Sequence, residues 1–173
     1  MGGHAMPISM HQASVPVFIR MLSALSAILD KAEAHAAAKK IEPSALLTAR
    51  LYPDMFSMAR QVQEATKHVY WGCALLAGQE MPDHPNSENS FAELKQRIAK
   101  AIEFARCFKP EQIDGSEERA VAIKFPTRTL EMKGQPFLLG FAMPNFYFHV
   151  TTAFDILRHN GVEIGKRDFL GAG

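Results

Sequence analysis

From Gln135 to Phe154 the chain carries no Asp, Glu, Lys or Arg. A stretch this long without charge either spans a bilayer or is enclosed by protein on most of its sides. A span needs about 20 predominantly apolar residues. This one also holds Pro136, Pro144, Asn145, His149, Thr151 and Thr152, and that polarity is costly in lipid. It therefore reads as a buried helix, and no membrane partner is expected. A buried helix needs neighbours, and the rest of the chain must supply them.

Three further stretches do so. From Ser14 to about Ala38, the residues Phe18, Met21, Leu22, Leu25, Ile28, Leu29 and Ala32 recur at steps of three and four, the spacing of one helical stripe. Ser14 is placed to cap this first helix, and Pro16 falls in its first turn. Pro43 and Pro53 bracket a short connecting helix, Ser44 to Leu51. A second long helix is expected from Pro53 to Ala77, with Met55, Met58, Val62, Ala65, Val69, Cys73 and Leu76 on its apolar face and Gly78 at its end. After an irregular loop containing Pro82 and Pro85, Ser90 and Glu93 have the spacing of a capping box. They open a third helix whose face is Phe91, Leu94, Ile98, Ala101, Ile102, Ala105 and Phe108.

The period then drops to two. Val121, Ile123 and Phe125 alternate with Ala122 and Lys124, and Leu130 and Met132 alternate with Glu131 and Lys133. Pro126 to Arg128 supplies the turn of a small hairpin. The uncharged fourth helix runs from about Pro136 to His159, with Pro144 kinking it or splitting off its first two turns. Asn160-Gly161 stops it, and the tail from Val162 reads as extended. The economical packing is a mostly α four-helix bundle with a β-hairpin inserted between helices three and four.

The 173 residues suit a single domain, read here as residues 6–173 after a short extension, Met1 to Ala5. Lys plus Arg number 19 against 18 Asp plus Glu, a balance with no field to attract nucleic acid. Two cysteines, Cys73 and Cys107, fall in apolar helical patterns and read as small core hydrophobes. No secretory signal pattern is visible near the N-terminus, so a cytoplasmic location is expected.

Polar residues in apolar surroundings are the candidates for function. Asn145, His149 and Thr152 lie at steps of four and three, on a face that starts at Phe141 and ends at Ile156. That face points inward, and buried polar groups must be hydrogen-bonded. Their partners are another helix, water, a small ligand or a metal. On helix two, Gln61 and His68 share a face, Gln63 and Glu64 read as a solvated side, and His68 is either a rim contact or a site wall. Nucleotide-binding glycine loops, the nucleophile elbow and the H-E-x-x-H zinc motif are absent.

Four segments carry a resemblance: Met6–Val17 (MPISMHQASVPV), Leu51–Gln63 (LYPDMFSMARQVQ), Pro144–Arg158 (PNFYFHVTTAFDILR) and Asn160–Gly171 (NGVEIGKRDFLG). Together they resemble the bacterial domain-of-unknown-function family numbered nineteen ninety-three, a branch of the DinB/YfiT-like superfamily. The resemblance implies a DinB-like four-helix bundle, often dimeric. Many superfamily members hold a divalent metal through three histidines, and some relatives are metal-dependent thiol S-transferases using bacillithiol, mycothiol or glutathione. Carried over by residue, the second histidine of the H-x-x-x-H pair falls on His149, the first on Asn145, and the helix-two histidine near Gln61 or Gln63. Amide oxygens are far weaker ligands for zinc or nickel than imidazole.

The expectation is therefore no tightly held transition metal and no bound cofactor. In their place stands a buried polar network or small-molecule pocket of His149, Asn145, Gln61, Gln63, Thr152 and His68. The alternative is a weakly metal-dependent S-transferase or related enzyme, and whether the chain is an enzyme stays open. A homodimer burying part of helix four is expected, because the uncharged run would otherwise expose Leu138, Met143, Phe146, Tyr147 or Val150.

Overall fold

A computed structural model describes residues 7–171; the expectation for Met1 to Ala5 lies outside them. Four long helices dominate: α1 (Val15–Lys39), α3 (Met58–Leu76), α4 (Phe91–Arg106) and α7 (Met143–His159). Short helices α2 (Pro43–Leu47), α5 (Pro110–Ile113), α6 (Gly134–Phe137) and α8 (Lys166–Phe169) join or follow them. The long helices form a ring in which α1 borders α4, α4 borders α3, α3 borders α7, and α7 returns to α1. This is the expected four-helix bundle. Among the described residues no helix is long and apolar enough to cross a membrane.

The stripes read from the sequence form the core. Phe18, Leu22, Leu25 and Leu29 of α1 meet Val62, Val69 and Leu76 of α3, Leu94 and Ile98 of α4, and Phe146, Val150 and Ile156 of α7, all fully buried. Phe18 and Phe146 meet edge to face at 5.0 Å. The hairpin pairs β1 (Ala120–Lys124) antiparallel with β2 (Thr129–Lys133), Ala120 opposite Lys133. Val121 and Ile123 turn inward between exposed neighbours, the period-two pattern of a half-buried strand. At Gly134, where β2 hands over to α6, a Cβ would run into the backbone carbonyl of Ser116, so only glycine fits.

Several boundaries differ from the sequence reading. Helix α3 begins at Met58 rather than near Pro53, because Ser57 caps it by accepting from the Arg60 N–H. Ser14 does not cap α1; its hydroxyl donates instead to the Met10 carbonyl. The perturbation expected at Pro144 is present as one π-helical turn, Leu138–Ala142, directly before it. A proline removes a helical donor, and a wider turn absorbs the resulting mismatch. The tail is not extended throughout: Val162 and Ile164 are buried and α8 docks on α1.

The exposed side of the uncharged helix also differs. Leu138, Met143, Phe146 and Val150 are buried. The exposed apolar residues are Leu139 (56%), Tyr147 (39%) and Phe148 (53%). The π turn rotates the helix start, so the outward face is set by residues on either side of Pro144.

Candidate metal centre around His149

Helix α3 is enclosed by α4, α7 and the segments that flank it, and every residue from Gln61 to Thr66 is buried. Its polar side chains therefore need partners inside the protein. His149 on α7 faces this helix. The His149 Nδ1–H donates to Gln61 Oε1 at 2.7 Å. The Gln61 amide is oriented in turn by its Nε2, which donates to the Phe56 carbonyl at 3.3 Å. Once Nδ1 carries the proton, the lone pair of His149 resides on Nε2.

Two further groups converge there. His68 stacks on His149 with ring centroids 5.6 Å apart. Glu64, His68 and His149 offer one ligand atom each within 4.8 Å of one another. Their side chains belong to residues only 7%, 4% and 8% exposed. Glu64 and His68 are four apart on α3, so they share a face and one turn separates them. Phe56, Trp71, Phe141 and Phe148 surround the imidazoles.

The electrostatics keep both imidazoles neutral. Burial, then the neighbouring His149 and Lys67, pull the His68 pKa down to about 3. Burial also lowers His149, against the opposing pull of Glu64. A neutral imidazole keeps the lone pair that binds a cation. Glu64 accepts an ion pair from Arg60 at 2.6 Å and a longer one from Lys67 at 3.6 Å. Among the described residues, the buried His68 Nδ1 has no hydrogen-bond partner. An orphaned polar atom of that kind costs about 1–3 kcal/mol and fits a site shaped for a guest. Two imidazoles and a carboxylate are a donor set suited to zinc and other divalent first-row metals.

The structure brings together only part of the set expected from sequence. Gln61, His68 and His149 converge. Asn145 turns back and donates from Nδ2 to the Phe141 carbonyl, and Thr152 donates to the Phe148 carbonyl. Each finds an acceptor four residues earlier on its own helix, so neither reaches the cluster. Gln63 is buried rather than solvated, and its Nε2 donates to Glu88 Oε2 at 3.1 Å, on another side of α3. Glu64, also read as solvated, is the third member of the cluster. The pair Glu64 and His68, spaced by four, was the signal that could have found it.

A family model described as Domain of unknown function (DUF1993) matches residues 10–170. The chain belongs to the DUF1993 family. It is also similar to a crystal structure of a DinB family member protein from Shewanella denitrificans, with 42% sequence identity, 94% of this chain and 92% of that chain covered, and a TM-score of 0.85. A comparison with curated proteins finds no match. This DUF1993 chain is thus a DinB-like helical protein, and its buried His/Glu cluster lies between α3, which carries Glu64 and His68, and α7, which carries His149.

Proposed function

We propose that this DUF1993 protein binds a weakly held divalent metal ion through Glu64, His68 and His149, and that the centre receives a small polar ligand. The observation that carries the reading is the buried His68 Nδ1, which lacks a partner among the described residues although a carboxylate and a second neutral imidazole converge beside it. Gln61 supports His149 from behind, as outer carbonyl partners do for metal-binding histidines. Three protein donors leave positions open to an incoming molecule. A divalent ion held there would polarise a bound oxygen or sulfur as a Lewis acid. That chemistry suits the thiol S-transferase activity found among superfamily relatives. Competition from Arg60 and Lys67 for Glu64 keeps the affinity modest.

The test is titration of chelator-treated protein with zinc or nickel. One ion per chain is expected, lost in His149→Ala and in Glu64→Gln and weakened about tenfold in Gln61→Leu, the usual cost of removing an outer partner. Absence of uptake up to millimolar metal would favour the second reading, a closed polar network. That reading draws on the direct His149–Gln61 bond.

Self-association through the uncharged helix is part of the same proposal. Leu139, Tyr147 and Phe148 are exposed on it, and exposed apolar residues grouped in this way mark contact surfaces. Light scattering at micromolar concentration should give a dimer mass, reduced toward the monomer by Phe148→Asp. A monomeric wild type would end this part of the proposal.

A further inference from the structure

Beside the cluster, Arg60 and Lys67 crowd one carboxylate. Their side chains are about one-third exposed (35% and 34%), whereas the Glu64 side chain is 9% exposed. One negative charge against two positive leaves the trio at +1, and a divalent ion would raise it to +3. The Arg60 Nε–H is buried and has no acceptor among the described residues. Its guanidinium lies 5.2 Å over the ring of Phe56, which presents a flat apolar surface next to an unfilled donor.

Arg60 and Phe56 also form one wall of a groove of about 560 Å³, whose other walls include Leu47, Arg50, Gln63 and Glu88. The one acid in that set, Glu88, is already engaged: Arg97 Nη1 reaches its two oxygens at 2.9 and 3.1 Å, and Gln63 donates to it as well. Arg50 donates to the Met55 carbonyl rather than to a carboxylate. The groove thus holds two arginines, Arg50 with no carboxylate partner among the described residues and Arg60 paired with Glu64, and Phe56 lies between this groove and the His149 ring.

We infer that this groove binds a small organic anion, its carboxylate or phosphate held by the Arg60 guanidinium at the edge of the metal centre and its apolar body against Phe56. Arginine is the side chain best matched to either head group, through paired N–H donors. The inference rests on the metal reading, because an ion that takes up Glu64 releases Arg60 and Lys67 for a second anion.

The ring centroid of the chain's single tryptophan, Trp71, lies 4.7 Å from Lys67 Nζ and 5.3 Å from the His68 ring, so its fluorescence reports on the cluster beside the groove. Zinc uptake is measured first and alone, so its failure tells against the metal reading before any anion is added. Benzoate, phenyl phosphate and the neutral benzyl alcohol are then titrated into zinc-loaded and zinc-free protein. Benzoate or phenyl phosphate should bind zinc-loaded protein at least about tenfold tighter than benzyl alcohol, and tighter than it binds zinc-free protein. Which of the two anions wins identifies the head group. Arg60→Gln should erase the preference while zinc uptake persists, and Arg50→Gln should reduce it. Equal binding of benzyl alcohol and the anions, or an unchanged preference in zinc-competent Arg60→Gln, overturns the inference.

Discussion

From Val69 to Leu76, helix α3 is buried by shape. Gly72 lets the Phe18 ring lie against the helix backbone, Cys73 and Leu76 are fully enclosed, and Cys73 is kept protonated by burial, its pKa pushed up to about 12. From Gln61 to His68 the same helix is equally buried but carries Gln61, Gln63, Glu64, Thr66 and His68. Here burial is sustained by polar partners: Arg97 bonds Thr66 Oγ1 at 2.7 Å, Glu88 holds Gln63, and His149 holds Gln61. One end minimises unsatisfied surface, and the other retains some, at His68 Nδ1 and Arg60 Nε. Two ways of sustaining burial are thus divided along a single helix.

Substitutions at the two ends should separate these modes. Arg97 joins Thr66, the Pro85 carbonyl and Glu88 in one clamp between α3, α4 and the intervening loop. Arg97→Met keeps volume but leaves the Glu88 carboxylate, itself only 15% exposed, without its cation. Breaking such a pair costs about 3 kcal/mol, the largest effect expected here, and urea unfolding would show it. At the apolar end, an added Cβ on Gly72 would sit 2.7 Å from the Phe18 ring. Overpacking of this kind costs about 1–3 kcal/mol, partly offset by the better helix propensity of alanine. Gly72→Ala should therefore lose about 1 kcal/mol with metal uptake unchanged. If Gly72→Ala proved the more damaging of the two, the polar end would not be held together as described.

The same contrast explains what could be read from the sequence. The four helices and the hairpin were legible because apolar residues recur with the period of each element, and His149 was legible because its face is bounded by Phe141 and Ile156. The partners of His149 were harder to see. Periodicity assigns polar residues on a helix to solvent, and that rule fails where a helix is enclosed all round, as α3 is at Gln63 and Glu64. Asn145 and Thr152 share the face of His149, but the sequence does not show that a carbonyl four residues back would satisfy each first. The start of α3 is also hidden, because Ser57 provides the cap whereas Pro53 offers the more visible signal upstream.

The subtlest separation of the two ends is their response to acid. With metal removed by chelator, His68 stays neutral in the folded protein down to about 3, whereas in the unfolded chain it takes a proton near 6.5. Between those values the unfolded state holds more protons, so acid favours unfolding. The stability is fully present above about 6.5 and is lost progressively as the pH falls toward about 3. Each such imidazole contributes a slope of at most about 1.4 kcal/mol per pH unit; His149, also lowered by burial, adds to it in the same direction. His68→Phe removes one proton from this balance and packs against Trp71 and Phe141 without an orphaned nitrogen, so its stability should fall less steeply between pH 6.5 and 5 than the wild type's. Cys73→Ala, at the apolar end, should leave the slope unchanged while lowering stability at every pH. Parallel slopes for His68→Phe and the wild type would mean that His68 is not held neutral in the fold, and the polar end of α3 would then lose its distinction from the apolar one.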